Sequence, residues 1–141
     1  MTSSVAAVPA ASSDRAAAHF GAGFEFETDC ADVAEALLGR QPGGQPGGQP
    51  DFVLLDVRNA ESYHRGHLPG AVNLPHGKIV AVKMAEYAPD TVFVTYCAGP
   101  HCNGAQRGAY RLAKLGRPVK LMIGGVTGWL DEGYALTAPG E

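Results

Sequence analysis

Thr91-Val92-Phe93-Val94-Thr95-Tyr96 runs directly into Cys97 and then into Ala98-Gly99-Pro100-His101-Cys102-Asn103-Gly104. The first six residues are β-branched or aromatic and follow Pro89-Asp90, the pattern of a short buried strand. From Ala105 to Leu115 the pattern is helical, and Gly116 is the expected C′ glycine. The segment therefore reads strand, Cys, tight loop, helix.

The same alternation recurs along the chain. Phe52-Val53-Leu54-Leu55 is a second buried strand, Asn59 to Tyr63 a short helix, and Gly66-His67-Leu68-Pro69-Gly70 a turn. Ala71-Val72-Asn73 is a short strand, Lys78 to Tyr87 a helix closed by Pro89, and Val119 to Ile123 the last strand. Gly124-Gly125 turns the chain into a closing helix, Val126 to Glu132. Nearer the N-terminus, Phe24-Glu25-Phe26 reads as a first strand. Asp29 reads as an N-cap, with Val33, Ala36 and Leu37 on one buried helix face. Strands alternating with helices predict an α/β fold: a central parallel sheet of about five strands with helices on both faces. Ligands of such sheets bind at the carboxyl ends of the strands, where Cys97, Asp56 and Arg58 all fall.

At 141 residues the chain has the length of one domain. Residues 1–18, small and polar-flanked, are expected to form a mobile tail, with a helical stretch at Ser13 to His19; residues 19–141 form the domain. Residues 41–50 repeat Gln-Pro-Gly and are expected to be a flexible surface loop inside it. A net charge of −3 argues against nucleic acid or an anionic membrane as partner. No apolar run reaches the ~18 residues of a membrane span, and the N-terminus lacks the basic start of a secretory signal. Three cysteines at these spacings suggest no disulfide framework, so a cytoplasmic setting is expected.

A thiol between a buried strand and a helix start lies near unpaired backbone N–H groups and the positive helix end. Both favour thiolate, and sites of this kind bring a Cys down to roughly 3.5–7.5. Cys97 is accordingly the expected nucleophile. The N–H groups of Ala98, Gly99, His101, Cys102, Asn103 and Gly104 are the expected anion cradle. Pro100 stiffens the loop without donating. Gly99 and Gly104 are expected at positive φ, and Asn103 as the N-cap of the next helix. Cys102 reads either as a resolving thiol or as a small loop residue, and His101 either as an anion donor or as an exposed loop residue. His64, His67, His76 and the cysteines lack a ligand spacing, so no metal is expected, nor any other cofactor. His67 reads as a turn residue with a side-chain hydrogen bond, and Cys30 and Trp129 as packing residues. Asp56 and Arg58 are expected to diverge from the strand end and to serve the fold at least as much as the chemistry.

Three segments resemble the rhodanese domain family. Leu54-Leu55-Asp56-Val57-Arg58, with Tyr63 and Gly66-His67-Leu68-Pro69-Gly70-Ala71-Val72-Asn73-Leu74-Pro75, is similar to its first signature. Val94-Thr95-Tyr96-Cys97 is similar to the strand that carries its catalytic Cys, and Gly124-Gly125-Val126-Thr127-Gly128-Trp129 to its C-terminal signature. The resemblance covers about residues 24 to 135. It implies a rhodanese fold and transfer of sulfane sulfur through a persulfide on Cys97, with Asp56 and Arg58 supporting the site. It also implies a small-molecule sulfur donor, a thiol, cyanide or protein acceptor, and no cofactor. The loop departs from the family pattern: Pro100 and Cys102 stand where the family has a Gly and often an Arg. Asn103 stands where phosphatases of this fold need an Arg, which disfavours phosphatase activity. The donor is left open between thiosulfate and a persulfide or thiol. Two other functions remain beside sulfur transfer: a dithiol–disulfide redox pair of Cys97 and Cys102, and a sulfur-carrying or regulatory module without turnover.

Overall fold

Side chains of β2 (Val53–Asp56), β4 (Phe93–Tyr96) and β5 (Val119–Met122) alternate between two buried faces, as extended backbone requires. The computed structural model describes residues 1–38 and 50–138. Two short strands, β1 (Glu27–Thr28) and β3 (Val72–Asn73), complete a parallel sheet of order β1-β5-β4-β2-β3. Leu55, Thr95 and Leu121 stand in register across its middle.

On one face Leu54, Val94, Tyr96 and Met122 pack with α2 (Cys30–Leu38) and α6 (Gly125–Asp131), around a wholly buried Trp129. On the other, Leu55, Phe93, Cys97 and Leu121 pack with Met84 of α4 (Ala81–Met84) and Leu112 of α5 (Gly104–Lys114). Tyr96 and Cys97 therefore lie on opposite faces. Small residues bring α5 close to the sheet. A Cβ on Gly108 would stand 3.0 Å from Val57 Cγ1, and the Thr95 hydroxyl donates to the Ala105 carbonyl at 3.0 Å. Gly116, at φ +78°, closes α5 as expected. Beyond it, Arg117 donates to the carbonyls of Met84, Tyr87 and Ala88 and ties down the segment after α4.

Asp29 caps as expected, accepting from Asp32 N–H at 2.9 Å, whereas Asn59, expected inside its helix, caps it by accepting from Ser62 N–H at 2.8 Å. Asn59 precedes α3 (Ala60–Arg65). Other expectations fail. Phe24-Glu25-Phe26 is the last turn of α1 (Ser13–Phe26), and β1 follows it. Ser12 caps that helix by accepting from Arg15 N–H, and once nucleated the Ala-rich segment propagates through the aromatic residues. The boundary drawn at residue 18 thus falls inside a helix, none of whose residues is buried. The helix expected from Lys78 to Tyr87 is reduced to a 3-10 turn at His76–Lys78 and the single turn of α4. Between them Ile79 and Val80 are extended, which suits β-branched side chains and buries Ile79. The loop expected at 41–50 lies, but for Pro50, outside the described residues. No helix among the described residues is long and apolar enough to cross a membrane.

Candidate active site

Cys97 follows the last residue of β4, and the N-terminus of α6 decides how the backbone leaves the strand. Val126 N–H donates to the Cys97 carbonyl and Thr127 N–H to the Ala98 carbonyl, both at 3.0 Å. In a trans peptide the next N–H points opposite to the carbonyl. Anchoring these two carbonyls on α6 therefore turns the N–H groups of Ala98 and Gly99 away from it. The approach is close enough to require glycine at 125. Its φ is +61°, and a Cβ there would lie 2.6 Å from the Cys97 carbonyl oxygen and 2.7 Å from Gly99 N.

Gly99-Pro100-His101-Cys102 is a β-turn closed by Cys102 N–H donating to the Gly99 carbonyl at 3.0 Å, with Pro100 in the position that suits its fixed φ. The Cys102 N–H is spent in that bond, so it leaves the expected cradle. Among the described residues the N–H groups of Gly99, His101 and Asn103 meet no protein acceptor. Those of Ala98 and Gly104 act on the sulfurs. Neither Gly99 nor Gly104 has the expected positive φ. Both are needed for space instead: a Cβ on Gly99 would collide with Thr127 Oγ1, and one on Gly104 would stand 2.7 Å from Cys97 Sγ. Asn103 precedes α5 but does not cap it. At φ −95° and ψ 13° it lacks the extended backbone that aims a cap, and its Oδ1 accepts from Arg107 Nε at 3.1 Å. His101 is exposed, its ring folded beside Gly99.

Cys97 is 6% exposed, whereas Cys102 is half-buried. Both line a recess of about 200 Å³ whose other walls include Gly99, Gln106, Ile123 and Gly125. The expected depression of Cys97 is overturned: burial, then its hydrogen bond to Cys102, pushes its thiol up to about 11. The Ala98 and Gly104 N–H groups pull the other way and are outweighed. Cys102 is lowered, chiefly because it accepts that hydrogen bond from Cys97. The resting pair therefore keeps its proton on Cys97 and ionises first at Cys102.

Behind the strand, on the Trp129 face, Asp56 is wholly buried. Its carboxylate accepts from Arg58 Nε at 3.0 and 3.1 Å, from Arg58 Nη2 at 2.6 Å, from Arg58 N–H at 3.0 Å and from the Tyr96 hydroxyl at 2.7 Å. The pair does not diverge. Residues two apart on extended backbone share a face, and the fork of Arg58 closes on the carboxylate. Burial works against the guanidinium charge, but the hydrogen bond and charge of Asp56 outweigh it, so the Arg58 pKa is raised. Arg58 also donates to the Gly66 carbonyl at 2.6 Å, and Tyr96 Oη accepts from Leu68 N–H at 3.1 Å. His67 Nδ1 lies 2.9 Å from the Tyr63 carbonyl, the side-chain bond expected of a turn residue. Cys30, also a packing residue as expected, donates through its thiol to the Ile123 carbonyl at 3.5 Å.

The structure thus brings Cys97, Ala98, Gly99, His101, Cys102, Asn103 and Gly104 into one loop and sets Asp56 and Arg58 behind it. Sequence reasoning missed the anchoring role of Gly125, Val126 and Thr127. Their adjacency to the Gly124-Gly125 turn was the available signal.

The Rhodanese-like domain family model matches residues 44–132. An HTH-type transcriptional regulator of Mycobacterium tuberculosis is 37% identical over 112 residues, which is 74% of this chain and 46% of the regulator. The chain thus spans about half the length of that curated relative. A crystal structure of a Bacillus halodurans protein superposes with a TM-score of 0.78 at 32% identity, covering 90% of this chain and 87% of the other. A thiosulfate sulfurtransferase from Pseudomonas aeruginosa superposes with a TM-score of 0.63 at 21% identity, covering 84% of this chain and 21% of the other, a likeness of fold.

Proposed function

The chain belongs to the rhodanese-like domain family, and on that premise we propose that it moves a sulfane sulfur from a donor to a thiophilic acceptor through a persulfide on Cys97. The observation that carries this reading is the placement of the Cys97 sulfur in a recess at the carboxyl end of β4, with the Ala98 and Gly104 N–H groups acting on it. In a loading step Cys97 gives up its proton to solvent. The Cys97 sulfur then attacks the donor's outer sulfur, the bond from that sulfur to the rest of the donor breaks, and the leaving group departs with the electron pair (sulfite, when the donor is thiosulfate). The persulfide anion that remains is stabilised by main-chain N–H groups. In the second step a thiol or cyanide attacks the outer sulfur and Cys97 is regenerated. The acceptor is a small thiophile or a protein thiol. The reading places this work in a reducing, cytoplasmic setting, where the thiols stay free.

The test is intact mass after incubation with thiosulfate, mercaptopyruvate or glutathione persulfide in parallel. The expected result is a gain of about 32 Da, one sulfur atom, with at least one donor, abolished by Cys97→Ser. An adduct that survives Cys97→Ser and disappears with Cys102→Ser refutes the assignment of Cys97. A second reading, a sulfur-carrying regulatory module, draws support from the 37% identity to a transcriptional regulator. It predicts the same adduct with negligible onward transfer to cyanide or thiols.

A further inference from the structure

We propose that Cys102 is a resolving cysteine that discharges the Cys97 persulfide as sulfide and closes a Cys97–Cys102 disulfide. This rests on the loading of Cys97 proposed above and adds a second reaction to it. The geometry points to it from three sides. A Cβ on Gly104 would lie 2.7 Å from Cys97 Sγ and 3.5 Å from Cys102 Sγ, so the two sulfurs flank the same bare backbone position. The turn closed by Cys102 N–H and the Gly99 carbonyl folds Cys102 back toward β4, and Gly104 N–H donates to its sulfur at 3.4 Å. Both sulfurs open into the same recess, the space available to a sulfur attached to Cys97.

The step balances without an external oxidant. The Cys102 thiolate attacks Cys97 Sγ, the inner sulfur of the persulfide. A bond forms between the two cysteine sulfurs while the bond from Cys97 Sγ to the outer sulfur breaks. The persulfide anion takes up a proton from solution, so its outer sulfur takes the electron pair and leaves as hydrosulfide. The sulfane sulfur is reduced to sulfide and the two cysteine sulfurs are oxidised to a disulfide. The cycle then closes through thiol–disulfide exchange with a small or protein dithiol, which regenerates both thiols. The class of reaction that must follow is therefore disulfide reduction, and the net activity is reduction of sulfane sulfur to sulfide.

The experiment loads the full chain and its Cys102→Ser and Cys102→Ala variants with glutathione persulfide, removes all small thiols, and follows intact mass and released sulfide together. The expected result is a persistent gain of about 32 Da in both variants. The wild-type chain loses that mass, releases about one equivalent of sulfide and ends about 2 Da below the reduced protein, with a Cys97–Cys102 cross-linked peptide. If wild type and variants hold the added sulfur equally long, Cys102 does not resolve the persulfide, while the loading of Cys97 stands. If neither wild type nor variants gain sulfur, the loading reading fails and the resolving step falls with it.

Discussion

The hydroxyl of Tyr96 donates to the carboxylate of Asp56 at 2.7 Å, immediately before Cys97 in the chain and on the opposite face of the sheet. Through Asp56 the hydroxyl is linked to Arg58 and the Gly66 carbonyl, and through its own oxygen to Leu68 N–H. Residues of two separate sequence segments, Asp56 to Leu68 and the strand ending at Tyr96, therefore meet as one network under the strand end that bears the thiol. What the network fixes is the position of that strand end.

Breaking this network costs stability. Arg58→Ala leaves a wholly buried carboxylate without its counter-ion and is expected to lose about 3–5 kcal/mol, the usual penalty for removing one partner of a buried ion pair. Tyr96→Phe removes one hydroxyl and is expected to lose about 1–3 kcal/mol. Urea unfolding measures both. Because the two side chains share Asp56, the double variant should lose less than the sum of the singles.

Gly125 and Gly116 separate strain from collision. Both have positive φ, but a Cβ on Gly116 meets nothing within 4 Å, whereas one on Gly125 meets the backbone of Cys97 and Gly99. Gly116→Ala is expected to cost about 1 kcal/mol of strain and to leave persulfide formation intact. Gly125→Ala should cost more and lower the loading rate by at least about tenfold, since a shift of this size at a reacting centre is felt steeply. Equal effects on loading would show that α6 does not set the loop.

The two thiols should label in a defined order. Cys97, pushed up to about 11, is a thiol at neutral pH, so its thiolate fraction grows about tenfold for each pH unit up to that value. Cys102 is lowered and ionises first. Iodoacetamide with peptide mapping should modify Cys102 before Cys97 at pH 7, with Cys97 labelling climbing as pH rises. Prior labelling of Cys97 at neutral pH would contradict the burial seen here.

Arg117 acts as a clamp. Its guanidinium donates to three carbonyls, at 2.7, 2.9 and 3.1 Å. Arg117→Ala is expected to lose roughly 1.5–3 kcal/mol, as for hydrogen bonds from a charged group. Arg117→Lys should recover only part of this, because an ammonium lacks the planar fork. Thermal unfolding of the three proteins gives the comparison.

The sheet was legible because its strands are short apolar runs bounded by Gly, Pro and Asp, and the site because a Cys stands where one run ends. Asp29 announced its cap by local chemistry alone. What escaped depended on contacts distant in sequence. Phe24 to Phe26 have strand-like alternation, yet a helix begun at Ser12 carries through them. The ionisation of Cys97 was misjudged because nearby N–H groups can be inferred from local order, whereas the depth of burial and the orientation of Cys102 are set by the whole loop. Gly99 and Gly104 were read as conformational residues, but they are required by Thr127 and by the sulfurs, neighbours that only the folded chain supplies.

The strand that ends at Tyr96 works as a partition. The ion pair that holds the scaffold rigid is on one side, and Cys97 and Cys102 are on the other. A loop rebuilt between Ala98 and Asn103 would meet a different donor without disturbing the buried charges behind it. The same frame can therefore carry reactions that have little in common beyond a cysteine at the end of β4.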